Sequence, residues 1–137
     1  MPNGMESKYR RIVAKVGTNL LTGGGEGLDL VVMQSMVRQM AELHQGGTQV
    51  LVVSSGAIAA GRDVLGLTKV RKDVPFKQVL AAIGQNRLMQ RYQEMFNGYG
   101  IKIAQALVSN SDLDDREGYL NVRNTLEGLL ALGVLPI

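Results

Sequence analysis

The chain alternates short apolar, β-branched runs with amphipathic helical segments, and this alternation restricts its fold more than any other feature. Residues 11–16 and 49–53 form two such runs, and the segment between them carries apolar residues at helical spacing. Those residues are Met33, Met36, Val37, Met40 and Leu43. Asp29 is placed as the helix N-cap, and Gly46-Gly47 ends the helix. A strand–helix–strand unit predicts two parallel strands with a right-handed crossover.

The same pattern continues through the rest of the chain and predicts an α/β fold. We expect helices over 57–65 and 76–99, a charged loop over 66–75 and a third strand over 101–108. A further helix then runs to Gly133, and a fourth strand begins at Val134. The long helix should direct Val79, Leu80, Ile83, Tyr92, Met95 and Phe96 towards the core. The last helix carries Tyr119, Val122, Leu126, Leu129 and Leu130.

Composition excludes several classes of function. There are 137 residues, 45% of them hydrophobic, with no cysteine and one histidine, so we expect a real core but neither disulfides nor a zinc site. The net charge of +3 comes from dispersed basic residues without interleaved aromatics, which argues against nucleic acid as a partner. Because neither a membrane-length apolar run nor a signal-peptide core occurs, we predict a cytosolic protein without membrane contact.

The segment that follows the first strand suits phosphate binding. Lys15 lies near the end of that strand, and Gly17, Thr18 and Asn19 add a small residue and two short polar side chains. A lysine can neutralise charge on a transferring phosphoryl group while backbone N–H groups bind its oxygens. The same residues equally fit a lysine that only extends from the sheet edge and a glycine that opens a hairpin. Residues 23–27 predict a hairpin or flap.

A second small-residue turn follows the second strand. Ser54-Ser55-Gly56-Ala57 joins that strand to a helix whose first N–H groups lack partners inside the helix, so they can bind an anion. Gly56 and Ala57 leave room for a carboxylate or phosphate, and Ser55 can add a hydroxyl. Ser55 could also be a simple N-cap. Since parallel strands end at one edge of a sheet, we expect this turn and the one after Lys15 to face a shared cleft.

Other polar residues predict structural roles. His44 lies in the last turn of the first helix, where imidazolium is favoured by the helix dipole. Four acidic residues at the start of the last helix are interpreted as caps and dipole partners rather than as metal ligands. They are Asp112, Asp114, Asp115 and Glu117. We therefore predict no metal site in the chain itself.

Four motifs, taken in order, resemble the N-terminal half of the bacterial glutamate 5-kinases, which belong to the amino acid kinase family. They are AKVGTNLLTGG, VVSSGAIAAGR, KQVLAAIGQNRLMQRY and DLDDREGYLNVRNTL. The resemblance implies a three-layer αβα sandwich with a mainly parallel sheet, truncated after the start of the fourth strand. Residues 1–137 would form the N-terminal half of the kinase domain, with residues 1–10 a disordered or added tail. It also implies transfer of the ATP γ-phosphoryl group to the side-chain carboxylate of L-glutamate, the first step of proline biosynthesis.

Site residues follow from the same resemblance. Lys15 corresponds to the family lysine that contacts the ATP phosphates and stabilises the transferring group, with Gly17 and Thr18 beside it; Mg²⁺ would arrive with the ATP. Ser55 corresponds to the serine that binds glutamate, and Gly56 and Ala57 to the turn that receives it. The 66–75 loop resembles a region involved in feedback inhibition by L-proline, and family members form oligomers.

Two alternatives remain at this point. A uridylate or isopentenyl phosphate kinase relative would share the lysine–glycine strand end, although such relatives usually carry more glycine where this chain has Ser54-Ser55-Gly56. A non-catalytic piece could instead use an exposed fourth strand and the long helix for association. The family continues after VLPI into an Asn-Glu-Asn-Asp segment that supplies substrate contacts, so we expect this polypeptide alone to have at most negligible kinase activity.

Overall fold

The computed structural model describes residues 8–66 and 73–137. The elements in chain order are β1 (Arg11–Val16), α1 (Thr18–Leu21), α2 (Leu30–Gln45), β2 (Gln49–Ser54), α3 (Ala57–Leu65), α4 (Val74–Asn97), β3 (Ile103–Ala104), α5 (Asn110–Asp114), α6 (Arg116–Ala131) and β4 (Leu135–Pro136). β1 pairs with β2 and β3 with β4, both in parallel. The prediction of an α/β fold with parallel strands is confirmed.

The first strand–helix–strand unit forms as its sequence predicts. The Asp29 carboxylate accepts hydrogen bonds from the N–H groups of Val31 and Val32 at 3.0 and 3.2 Å, so it caps α2. The helix ends at Gly46, and His44 lies in its last turn, as expected. β1 and β2 then align from Arg11 opposite Gln49 to Val16 opposite Ser54.

The two faces of this strand pair have different surroundings. Val16, Val50 and Val52 are buried on one face, together with apolar residues of α2 and α4. Successive side chains point to opposite faces of a strand. Val13 and Val53, on the other face, are accordingly 61% and 55% exposed. The core therefore lies on one side of the β1–β2 pair.

Close contact between α3 and α4 depends on two glycines. A Cβ at Gly61 would collide with the Leu80 carbonyl, and one at Gly84 would collide with the Ala57 carbonyl. Since any other residue would force the helices apart, these glycines fix α4 against the first turn of α3. Gly61 lies four residues after Ala57 on α3, and Gly84 lies four residues after Leu80 on α4. On each helix these two residues share one face, so the two helix backbones touch.

The third and fourth strands are shorter than predicted. β3 covers only Ile103–Ala104 of the expected 101–108, because its β4 partner contributes two residues and no other described strand pairs with it. β4 contacts β2 as well as β3, and Leu135 is fully buried. The fourth strand is therefore not the exposed edge that an association role would use.

The helices differ from prediction at their ends and in their burial. α4 begins at Val74 rather than at 76, because Asp73 caps it and Pro75 occupies its first turn. Val79 is 50% exposed, so that predicted core position is wrong. On α6 only Leu130 is buried. Residues 67–72 of the predicted 66–75 loop, and 1–7 of the predicted tail, lie outside the described residues.

A short helix, α5, occupies the turn that was expected after β3. Ser109 and Asp112 form a capping box there, with the Ser109 N–H donating to the Asp112 carboxylate at 2.8 Å. Asp115 caps α6 by accepting from the Gly118 N–H at 2.9 Å. The interpretation of these acidic residues as caps is confirmed for Asp112 and Asp115.

Candidate site at the ends of the first two strands

The carboxyl ends of β1 and β2 lie side by side. Lys15 is opposite Val53 and Val16 is opposite Ser54. One step further, the Ser55 N–H donates to the Val16 carbonyl at 2.8 Å. The serine turn therefore begins directly beside the segment that leaves β1.

Gly56 gives the turn after β2 its shape. Its φ of +109° lies in the left-handed region, and a Cβ there would approach Leu21 Cδ1 to 2.8 Å. The space on this side of Gly56 is filled by leucine side chains, so glycine is required by both the backbone and the packing. Gly56 is also the N-cap of α3 and provides no side-chain cap for the first N–H groups of that helix. These N–H groups are suited to an anion.

A cleft of about 450 Å³ opens at this turn. It brings together four of the predicted site residues: Thr18, Ser55, Gly56 and Ala57. Its position beyond the carboxyl ends of parallel strands is where open α/β sheets bind ligands. A larger concavity between α2 and α4 lies away from the strand ends and is lined by an Arg91–Glu94 ion pair, so it lacks that placement.

Lys15 and Gly17 do not line this cleft. Lys15 is exposed, and by the alternation along β1 it shares the sheet face of Val13, opposite to buried Val16. Gly17 caps α1 with an ordinary extended conformation, φ −84° and ψ 161°, and nothing lies within 4 Å of a Cβ built on it. The first turn is thus open to solvent, and the role of these two residues stays a prediction.

Two cationic residues of the cleft were missed by the sequence interpretation, Arg62 and Lys77. Lys77 precedes Gly84 by seven residues, two helical turns, so it shares the face of α4 that packs on α3. The seven-residue spacing could have predicted that Lys77 lies near α3, but only with the knowledge that Gly84 touches Ala57. Among the described residues, no carboxylate forms an ion pair with Lys77.

Arg62 joins the cleft to the glycine-rich segment between α1 and α2. Its guanidinium pairs with Glu26 at 2.8 Å, while its buried Nε has no hydrogen-bond partner among the described residues. The neighbouring Asp63 accepts from the Leu28 N–H at 2.9 Å. The segment over 23–27 therefore connects two helices and is tied to α3, and the hairpin prediction is wrong.

The turn after β2 is also contacted by Tyr92, a buried tyrosine of α4 that lies against Ser54. The Tyr92 hydroxyl lies 2.7 Å from Ser54 Oγ, and Tyr92 is fully buried. Burial raises the pKa of Tyr92 above its ordinary value of 10.0, outweighing the opposing effect of the Ser54 hydrogen bond. The phenol is therefore neutral at physiological pH.

No group of three or more histidine, aspartate or glutamate side chains suited to a metal ion occurs within residues 8–66 and 73–137. In the same part of the chain, no helix is long and apolar enough to cross a membrane. The polar groups assembled at the strand ends are hydroxyls, backbone N–H groups and cations. Such a set binds anions rather than metal ions.

Comparison with known proteins identifies the family of the chain. The sequence model of the amino acid kinase family matches residues 10–137. The chain is 54% identical over 132 residues to the Glutamate 5-kinase of Dehalococcoides mccartyi strain CBDB1, covering 96% of this chain and 35% of that protein. It is 49% identical over 137 residues to the Glutamate 5-kinase of Geobacter sulfurreducens, covering 100% of this chain and 37% of that protein.

A third relative, the Glutamate 5-kinase of Vibrio parahaemolyticus, is 47% identical over 135 residues, which are 98% of this chain and 36% of that protein. The chain thus spans little more than a third of the length of these curated relatives. The family match, in contrast, extends over nearly all of its residues. The chain belongs to the amino acid kinase family.

Proposed function

We propose that the protein containing this chain transfers the γ-phosphoryl group of ATP to the side-chain carboxylate of L-glutamate, the first step of proline biosynthesis. The observation that carries the proposal is the cleft beyond β2, where Ser55 and Thr18 lie with the uncapped N-terminus of α3. The similarity to proteins named Glutamate 5-kinase supports glutamate as the occupant.

The charges of the cleft suit a dicarboxylate. Lys77 has no described ion-pair partner, and Arg62 adds a second cation. An amino acid with an uncharged or cationic side chain carries only its α-carboxylate, whereas glutamate offers a second carboxylate that can pair with Lys77. Arg62 is already paired with Glu26. In the proposed arrangement Ser55 donates its hydroxyl to a substrate carboxylate, and the N–H groups of Ala57 and the following residues face the same anion.

Lys15 is proposed to act on the ATP side. An ammonium group beside the transferring phosphoryl group stabilises the charge on its oxygens in the transition state. Gly17 leaves the backbone open for the phosphates, and Thr18 lines the same cleft as Ser55. Mg²⁺, held by the ATP phosphates, supplies charge neutralisation when bound; the described residues contain no carboxylate cluster to hold it.

Several further statements belong to the same proposal. Residues 1–137 are assigned to the N-terminal half of the kinase domain and by themselves should turn over glutamate at most negligibly, since the relatives are nearly three times as long. Homo-oligomer formation, L-proline as a feedback ligand and a cytosolic location are likewise proposed from the family resemblance and composition.

The test is ADP release together with hydroxylamine trapping of glutamyl phosphate, using the protein at its full natural length. Lys15→Met should lower kcat by about 100-fold or more, as expected for loss of a transition-state charge partner. Lys102→Met, at an exposed lysine that precedes the amino end of β3, should leave kcat unchanged. Uridylate and isopentenyl phosphate serve as competing acceptors. Faster turnover of either one, or no phosphorylation of glutamate by the wild type, contradicts the proposal.

A binding measurement tests the substrate side separately. By isothermal titration, Ser55→Ala should weaken glutamate binding by about tenfold, the effect of one charge-assisted hydrogen bond, and leave ATP binding unchanged. Ser35→Ala on the exposed side of α2 is the matched control. Equal glutamate affinity of the two variants would remove Ser55 from the site. Self-association without binding of glutamate, proline or ATP would favour the non-catalytic alternative.

A further inference from the structure

We infer that Tyr92 is a positioning residue, which fixes the Ser55–Gly56 peptide of the substrate turn through the Ser54 hydroxyl. The inference rests on the proposed function for its consequence in catalysis. Its structural basis is a chain of two short hydrogen bonds, 2.7 Å from the Tyr92 hydroxyl to Ser54 Oγ and 2.8 Å from Ser54 Oγ to the Ser55 carbonyl.

The direction of these hydrogen bonds follows from their chemistry. A carbonyl oxygen can only accept, so the single Ser54 proton is donated to Ser55. Ser54 Oγ must then accept from the Tyr92 hydroxyl, which requires a protonated phenol. The raised pKa of Tyr92 satisfies that requirement at neutral pH.

The two peptide groups that flank Ser55 are thereby held from different sides. The Ser55 N–H is bound by the Val16 carbonyl of β1 at 2.8 Å, and the Ser55 carbonyl is bound by Ser54. Tyr92 itself is fixed in the core, where its ring stacks on Phe96 with centroids 6.4 Å apart. A rigid helix thus sets the plane of the peptide that leads into Gly56 and the start of α3.

Tyr92→Phe removes only the hydroxyl and keeps the buried ring, so it separates positioning from packing. In the protein at its full natural length, we expect the KM for glutamate to rise about fivefold, the effect of losing one hydrogen bond. The KM for ATP should stay within about twofold, because the hydrogen-bond chain reaches only the turn after β2. Tyr119→Phe, on the exposed face of α6, is the control and should change neither value.

Ser54→Ala provides a second variant and closes a double-mutant cycle. If Tyr92 acts through Ser54, Tyr92→Phe should raise the KM for glutamate no further in the Ser54→Ala background. If the increases in the KM for glutamate caused by Tyr92→Phe and Ser54→Ala multiply in the double variant, Tyr92 acts by another route and the inference is overturned.

A ligand-free readout distinguishes failure of this inference from failure of the proposed function. The Gly56 amide belongs to the peptide in question, so its ¹⁵N chemical shift should change in Tyr92→Phe and not in Tyr119→Phe. If the wild type does not use glutamate but the amide shift changes, the proposed function fails and the positioning stands. If the amide shift and the KM for glutamate are both unchanged in Tyr92→Phe, the positioning fails whatever the substrate.

Discussion

The turns that leave β1 and β2 lie side by side but are built in opposite ways. The first is open: Gly17 adopts an ordinary extended conformation, and a side chain there would meet nothing within 4 Å. The second is enclosed, since Gly56 is buried with a positive φ and Ser54 is tied to a buried tyrosine. Under the proposed function, we expect the β2 turn to be preorganised for glutamate and the β1 turn to adapt to ATP.

The largest expected effect comes from the glycine that seats α4 on the β2 turn. Gly84→Ala places a Cβ against the Ala57 carbonyl, and the backbone cannot yield without separating α3 from α4. We expect a loss of about 3 kcal/mol or more in the free energy of unfolding. Urea denaturation measures it.

Gly128→Ala on α6 is the matched control, because nothing lies within 4 Å of the added Cβ. That variant should gain about 0.5–1 kcal/mol through helix propensity. Equal stabilities of the two variants would show that α3 and α4 are not in close backbone contact.

Alanine substitutions at Gly56 and Gly17, the glycines of the two turns, should give the next largest difference in the free energy of unfolding. Gly56→Ala should lose about 2 kcal/mol of unfolding free energy, because it combines left-handed backbone strain with a contact on Leu21. Gly17→Ala should change the unfolding free energy by less than about 1 kcal/mol, since its conformation suits alanine, and the lower freedom of the unfolded chain offsets the poorer N-cap of α1. If Gly56→Ala were as stable as Gly17→Ala under the same denaturation, the β2 turn would not be the more constrained one.

Alkaline pH should weaken the β2 turn specifically. Because the pKa of Tyr92 is raised in the folded protein, its contribution is fully present below the unfolded pKa near 10 and is lost as pH rises towards the folded value. Over that interval the free energy of unfolding of the wild type should fall more steeply than that of Tyr92→Phe. Denaturation between about pH 8 and pH 11 compares the slopes. Parallel slopes would contradict a buried, protonated Tyr92.

Acid pH should act on a different turn, and with the smallest effect. Hydrogen bonds from the backbone and then the side chain of Ser109 hold the pKa of Asp112 below its ordinary value. Its contribution is therefore present above the unfolded pKa and is lost as pH falls through the folded one. NMR titration should show the amides of α5 shifting at that pH while those of Ser55 and Gly56, which rest on neutral hydroxyls, stay constant. Simultaneous shifts at both turns would contradict the distinction.

Sequence reasoning succeeded where structure is decided locally. The Asp29 cap, the Gly46 end of α2 and the Ala57–Leu65 span of α3 depend on residues within a few positions of one another, and each was predicted. The Asp73 cap with Pro75 in the first turn of α4 is an equally local signal that the interpretation overlooked.

Sequence reasoning failed where contacts between distant segments of the chain determine the structure. The length of β3 depends on the partner strand, and the burial of Val79 depends on which helix face finds a neighbour, so neither could be predicted from periodicity. Arg62 and Lys77 reach the cleft only because Gly61 and Gly84 bring two helices together. The buried Tyr92–Ser54 pair spans 38 positions and left no pattern in the sequence.

A crystal structure of the protein at its full natural length, with L-glutamate and a non-hydrolysable ATP analogue bound, tests the central claim most directly. We predict a glutamate carboxylate within about 3.2 Å of Ser55 Oγ at the start of α3, and the Lys15 ammonium directed at the terminal phosphate of the analogue. Glutamate bound away from the β2 turn, or Lys15 and Ser55 directed to opposite sides of the molecule, would contradict the account.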